Sequence, residues 1–211
     1  MEKPFEEIIS AFTPSDDERL NSLLKFSALA EEMDKISRRT KLADGSRRQN
    51  DAEHSWRIAL MALMFKDYFD EEVDATRAAA ICVAHDLVEI YAGDTFAYDA
   101  AANVGKEERE EAAAQKLFGQ LPDDIARKLR ALWNEFEEMK TPESRYANCM
   151  DRLEPFLNNS LSLTGGTWAE AGATVAMIEK RIGPLKENMP CVWEWVQKNI
   201  AVGLKKGFIK E

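Results

Sequence analysis

The chain has 211 residues, 45% of them hydrophobic and 31% charged, which suits one soluble domain with a sizeable core. Its 38 acidic against 28 basic side chains give a net charge of −10, so duplex nucleic acid and anionic membranes are poor partners. The three cysteines, Cys82, Cys149 and Cys191, have no CxxC spacing, so neither a zinc knuckle nor a disulfide framework is expected.

The first segment, Met1 to Glu7, is too acidic for a signal peptide, and no apolar run approaches membrane-spanning length, so a cytoplasmic location is expected. Residues 3–12 hold Phe5, Ile8, Ile9 and Phe12 at helical spacing, and Pro14 interrupts them. Ser15 and Glu18 make an S-x-x-E capping box that opens a helix over about 16–37, with Leu20, Leu23, Leu24 and Met33 on one face. Residues 40–51 read as a polar loop turning at Gly45 and ending at Asp51, a candidate N-cap. The helix it caps carries His54 in its first turn and continues through Trp56, Leu60, Leu63 and Met64. Asp74 caps the next helix, whose stripe of Ala78, Ile81 and Cys82 runs into His85 and Glu89 until Gly93 ends it. The loop 95–99 follows and could cover a site.

Helices are expected over 105–118 and 122–139. The first has a charged, solvated face, and the second has the stripe Ile125, Leu129, Leu132, Trp133 and Phe136. Thr141-Pro142 starts a helix bearing Asp151, which Pro155 should kink. Residues 164–167 read as a loop, and helices over about 168–181 and 190–206, divided by Gly183-Pro184, close the chain. The expectation is an all-α, single-domain bundle over 1–211 with no sheet. Cys82 and Cys149 lie in apolar helical contexts and read as core thiols.

The chain has two histidines, His54 and His85, and both stand beside carboxylates. Imidazole nitrogen with carboxylate oxygen is a common first shell for a catalytic divalent metal. On a helix, His85, Asp86 and Glu89 converge on one small volume, and Asp94 lies just beyond the helix end. Asp151 sits in a mostly apolar segment, where a buried carboxylate needs a cation or a hydrogen-bond partner.

The order His54, then His85-Asp86, then Asp151, all on helices, resembles the HD-domain metal-dependent phosphohydrolases over residues 38–160. Ala52-Glu53-His54-Ser55 and His85-Asp86-x-x-Glu89-x-x-x-Gly93-Asp94 are similar to the 5′-deoxynucleotidase branch of that superfamily. The resemblance implies one divalent ion (Mn, Co, Zn, Fe or Mg) held by His54, His85, Asp86 and Asp151. It implies release of phosphate from a nucleoside 5′-monophosphate by a metal-activated water. Glu89 would handle a proton, and Asp94 would meet the sugar hydroxyl or orient the water. It makes Arg39, Arg47 and Arg48 candidates for the phosphate, with Arg39 the best match. Relatives follow that arginine with a tryptophan that crowds the 2′ position, whereas this chain has Thr40, which leaves the choice between ribose and deoxyribose open. A homodimer, as relatives form, is expected and is allowed by the apolar stripes and Trp193-Glu194-Trp195. Hydrolysis of another small phosphoester, or a non-catalytic nucleotide-binding module, are the alternatives. Two histidines are too few for the binuclear and di-iron HD enzymes, and no HExxH or GxSxG motif is present.

Overall fold

The computed structural model describes residues 4–94 and 105–211, so the candidate covering loop 95–99 lies outside the described residues. Helices α1 (Phe5–Ile9) and α2 (Glu18–Leu29) lead in, and the chain then tightens into a 3-10 turn over Ala30–Lys35. The cap of α2 is Asp17, whose side chain accepts from the Leu20 N–H, in place of the expected Ser15. Ser15 is instead tied to Asn21.

The expectation of no sheet is corrected here. Strands β1 (Ser37–Lys41) and β2 (Arg48–Asn50) pair antiparallel, with Ser37 opposite Asn50, Lys41 opposite Arg48 and an irregularity between. Gly45, at φ 74°, turns the hairpin. The segment Ser-Arg-Arg-Thr-Lys has little of the apolar alternation that marks a strand, because its inward positions are the polar Arg38 and Thr40, and Arg38 meets the buried Asp51 and Asp86.

Helix α3 (Asp51–Met64) begins with a reciprocal cap: the Asn50 side chain accepts from the Glu53 N–H, and the Glu53 carboxylate accepts from the Asn50 N–H. Asn50, and not Asp51, is therefore the cap, which leaves Asp51 fully buried at the first helical position with its carboxylate turned inward. The inward face of α3 is His54, Ser55, Ile58, Met61 and Ala62, whereas Trp56, Leu60, Leu63 and Met64 point outward and are exposed.

Helix α4 (Ala75–Ala84) is capped by Asp74, as expected, and α5 (Glu89–Ala92) ends at Gly93 with φ 76°. The single helix expected through His85 and Glu89 is broken between them. After His85 the backbone bonds tighten to three-residue spacing, with Leu87 N–H to Ala84 carbonyl and Glu89 N–H to Asp86 carbonyl. In such a turn, side chains three apart eclipse, which sets Asp86 beside Glu89.

Helices α6 (Lys106–Phe118) and α7 (Asp123–Glu138) follow. Helix α8 (Pro142–Leu161) is the central one: Thr141 and Ser144 cap it, Pro142 opens it, and it runs through Pro155 without interruption. Its buried apolar side is Tyr146, Cys149, Met150, Leu153 and Phe156, and its buried polar side is Asn148, Asp151, Glu154 and Asn158. The chain ends with α9 (Gly166–Ala171), α10 (Val175–Asn188) and α11 (Pro190–Lys205). Gly172, at φ 61°, closes α9, so the expected helix over 168–181 is two helices. Conversely, Gly183-Pro184 does not divide the last two helices, because Pro184 lies inside α10. The clash of a proline ring with the preceding residue involves that residue's Cβ, which Gly183 lacks.

The core is built from α3, α4, α8, α10 and α11 around Ile58, Ile81, Tyr146, Met150, Ile178 and Leu185. A second cluster, centred on Leu117, Phe118 and Trp133, joins α6 and α7 to Leu29 and Val88. Cys82 and Cys149 are core thiols, as expected; burial pushes both up, Cys149 to about 12. The architecture is thus a helical bundle with one small hairpin, and no helix among the described residues is long and apolar enough to cross a membrane.

Candidate metal centre

Three segments bring polar side chains to one buried point: the first turn of α3, the tight turn after α4, and the middle of α8. His54 is fully buried. Its Nε2 is 3.1 Å from Asp151 Oδ1, and its Nδ1 is 3.1 Å from Glu154 Oε2. Glu154 is buried as well, and it also accepts from Gln49, Arg57 and Asn158. Burial and the Arg38 charge oppose protonation of His54, but Asp151 and Glu154 outweigh them and raise its pKa to about 9.

His85 donates from Nδ1 to the Cys82 carbonyl at 2.8 Å, which leaves Nε2 as the ring atom facing the site. That Nε2 lies 3.0 Å from Asp86 Oδ1 and 4.0 Å from Asp151 Oδ1, yet it is buried without a hydrogen-bond partner. A ring nitrogen facing carboxylate oxygens at this range calls for a proton or a cation between them, and imidazole nitrogen with carboxylate oxygen is a donor set that divalent transition ions accept. Ligand atoms of His54, His85 and Asp86 all come within 4.8 Å of one another, so the residues present fit such an ion.

Burial works against ionised carboxylates here, yet Asp86, Asp151 and Glu154 remain charged, Glu154 through His54 and Arg57. His85 and Arg38 hold Asp86 well below the usual carboxylate range, and Arg181 with His54 does the same for Asp151. Arg181 donates to Asp151 Oδ2 at 3.2 Å. Glu89 goes the opposite way: burial, then the neighbouring Asp86 and Asp51 charges, push its pKa well up. Asp94, part-buried at the mouth, is also pushed up by burial.

Two hollows lie here, and they share Arg38, Asp94, Arg152 and Arg181. One is lined by His85, Asp86, Glu89, Asp94, Lys106, Glu110 and Asp151. The other is lined by Arg38, Arg39, Thr40, Arg152 and Arg181 together with the apolar Phe156, Trp168, Ile178 and Ile182. Of the arginines singled out from the sequence, Arg39 borders this second hollow. Arg47 is paired with Glu53, and Arg48 with Glu170 and the Arg39 carbonyl. Sequence reasoning passed over Arg38, which donates to both Asp51 and Asp86, and Glu154, which holds the far side of His54. The signal for Glu154 was its position one turn beyond Asp151 on the same buried face.

Fold and site together define a mostly helical protein, with one small hairpin, whose buried histidine–aspartate centre is suited to a divalent cation. Residues 30–193 match the HD domain family, and the chain belongs to it, which bears out the resemblance drawn from its motifs. A crystal structure described as a predicted metal-dependent phosphohydrolase from Magnetospirillum magnetotacticum superposes with a TM-score of 0.86 at 38% identity, covering 95% of this chain and 100% of that one. Cattle 5′-deoxynucleotidase HDDC2 is 32% identical over 109 residues, which is 52% of this chain and 52% of that protein. The human protein of the same name is 28% identical over 140 residues, 66% of this chain and 67% of that protein. The match thus spans about half the length of the cattle relative. An HD-domain phosphohydrolase from Listeria innocua shares the fold at 16% identity and a TM-score of 0.58.

Proposed function

We propose that the chain is a metal-dependent phosphohydrolase that releases phosphate from nucleoside 5′-monophosphates, with His54, His85, Asp86 and Asp151 holding one divalent ion. The observation that carries this reading is the partnerless, buried His85 Nε2, aimed at Asp86 and Asp151 beside a hollow lined by arginines. The matched relatives named 5′-deoxynucleotidase support the substrate class. When bound, the ion supplies Lewis acidity toward the phosphoryl group and lowers the pKa of water.

The chain's own residues do the rest. Arg39 and Arg181, at the rim of the arginine-lined hollow, offer positive charge to phosphate oxygens. Phe156, Trp168 and Ile178, which line the same hollow, offer an apolar seat for the organic part of the ester. Glu89, whose raised pKa favours the protonated carboxyl, can give a proton to the leaving 5′-oxygen, and Asp94 stands between the two hollows to orient the sugar or the water. Thr40, buried on the wall, is a smaller group than the tryptophan of the resembled branch and leaves room beside the sugar.

The test is a screen of ribo- and deoxyribonucleoside 5′-monophosphates, with a generic aryl phosphate, in Mn(II), Co(II) or Mg(II). Phosphate release that chelator abolishes and Asp151→Ala eliminates is the expected result. No release from any monophosphate in any of the three ions would refute the proposal.

A further inference from the structure

Asp86 presents its two oxygens to two different partners. Oδ1 stands 3.0 Å from His85 Nε2, on the side of the proposed metal centre. Oδ2 accepts from Arg38 Nη1 at 2.7 Å, and the same nitrogen reaches Asp51 Oδ1 at 2.8 Å. Asp51, Asp86 and Glu89 each offer an oxygen within 4.8 Å of the others, and all three residues are buried. Asp51 Oδ2 and Glu89 Oε2 are themselves buried with no further partner, so the close approach of these two carboxyls is one that a proton or a cation has to bridge.

A carboxylate with one oxygen on each of two cations is how paired metal sites are built, their ions about 3.5–4 Å apart. In this chain, one side of that bridge is the histidine-lined centre and the other is a guanidinium. We propose that Arg38 stands in for a second divalent cation: Asp51, Asp86 and Glu89 form a latent all-oxygen site, and the Arg38 guanidinium fills it and keeps the protein to one metal ion. The inference rests on the reading of His54, His85, Asp86 and Asp151 as the metal centre. A donor set of three carboxylates selects a hard ion of the Mg(II) or Mn(II) kind. A guanidinium does not deprotonate in proteins, so raising the pH does not vacate the place. Arg38 is anchored from β1, opposite the first turn of α3, so the substitute cation belongs to the fold and not to the solution.

The experiment counts ions. Equilibrium dialysis against Mn(II), with elemental analysis and electron paramagnetic resonance, is run on the wild-type chain and on Arg38→Ala and Arg38→Met. The wild-type chain is expected to hold one Mn(II) with a single-ion spectrum, even at millimolar Mn(II). Both variants are expected to take two and to show an exchange-coupled pair. Adding Asp51→Asn to Arg38→Ala should return the count to one. Circular dichroism identifies which variants are folded, and Arg38→Met, which keeps most of the side chain's bulk, guards against loss of folding in Arg38→Ala. Folded variants that stay at one ion overturn the inference while leaving the metal centre intact. A wild-type chain that takes two ions with Arg38 in place also overturns it. A wild-type chain that takes none overturns the metal centre itself, and this inference with it.

Discussion

Metal affinity should climb about tenfold per pH unit up to about pH 9. In the metal-free protein His54 contacts carboxylates from both ring nitrogens, Nε2 to Asp151 and Nδ1 to Glu154, and both contacts are hydrogen bonds only when the ring carries two protons. Although burial and Arg38 oppose that charge, the two carboxylates raise the pKa to about 9. A metal at Nε2 has to displace that proton. Near pH 7, two units lower, imidazolium outweighs the neutral ring about 100-fold. The apparent dissociation constant should then be about 100 times larger than above pH 9, or about 2.7 kcal/mol at 1.36 kcal/mol per unit. Calorimetric titration with Mg(II), in two buffers of different ionisation enthalpy, should count about one proton released per ion near pH 7. Glu154→Gln removes one of the two carboxylates, so the pH-dependent span should move to lower pH. The same raised pKa stabilises the metal-free fold fully below about pH 6.5, and that contribution is lost as pH rises through about 9. Chelated protein should therefore melt at lower temperature across that window. An affinity that stays flat between pH 7 and 9, with no proton released, would refute the exchange of proton for metal at His54.

His85→Ala and Asp151→Ala should each lose the ion, measured by elemental analysis of protein purified without chelator; full retention by both sinks the ligand assignment. Glu89→Gln should keep the ion and still bind nucleoside monophosphate, yet lose roughly 10²–10⁴-fold in turnover, because the amide cannot pass a proton. Near wild-type turnover would remove Glu89 from acid–base work. Tyr146→Phe deletes the buried hydroxyl that donates to the Ala62 carbonyl at 2.8 Å, and should cost about 1–2 kcal/mol in urea unfolding with an unchanged slope. No shift of the midpoint would mean that water or backbone takes over that carbonyl.

The residues that were legible in the sequence are those whose chemistry is unusual for their surroundings. Two histidines beside carboxylates, and an aspartate in an apolar helix, stand out in a single chain, and the structure gathers His54, His85, Asp86 and Asp151 at one point. Arg38 did not stand out, because Arg39 and Thr40 follow it and a strand turns successive side chains to opposite faces. Choosing between neighbours required the hairpin, and the hairpin is specified by its packing on α3 and α8, not by local propensity. Asp51 reads as a cap for a related reason: Asn50 and Asp51 are both good caps, and only the return bond from Glu53 decides between them. The break after His85 was invisible because Leu-Val-Glu-Ile-Tyr-Ala has no helix breaker until Gly93. The outward face of α3 shows the limit of periodicity: Trp56, Leu60, Leu63 and Met64 share one stripe, but it is not the stripe that enters the core.

His54 and Asp151 are 97 residues apart in the chain, and they meet only when α3 and α8 have docked. An ion held between them acts as a removable cross-link between the ends of a long loop, open in the unfolded chain and closed in the native one. An ion that bound the folded state alone would add about 1.4 kcal/mol to the cost of unfolding for each tenfold excess over its dissociation constant. The same ion that readies the chemistry would then also set how long the bundle survives heat or protease, and starvation for metal would reach the protein first as a loss of persistence.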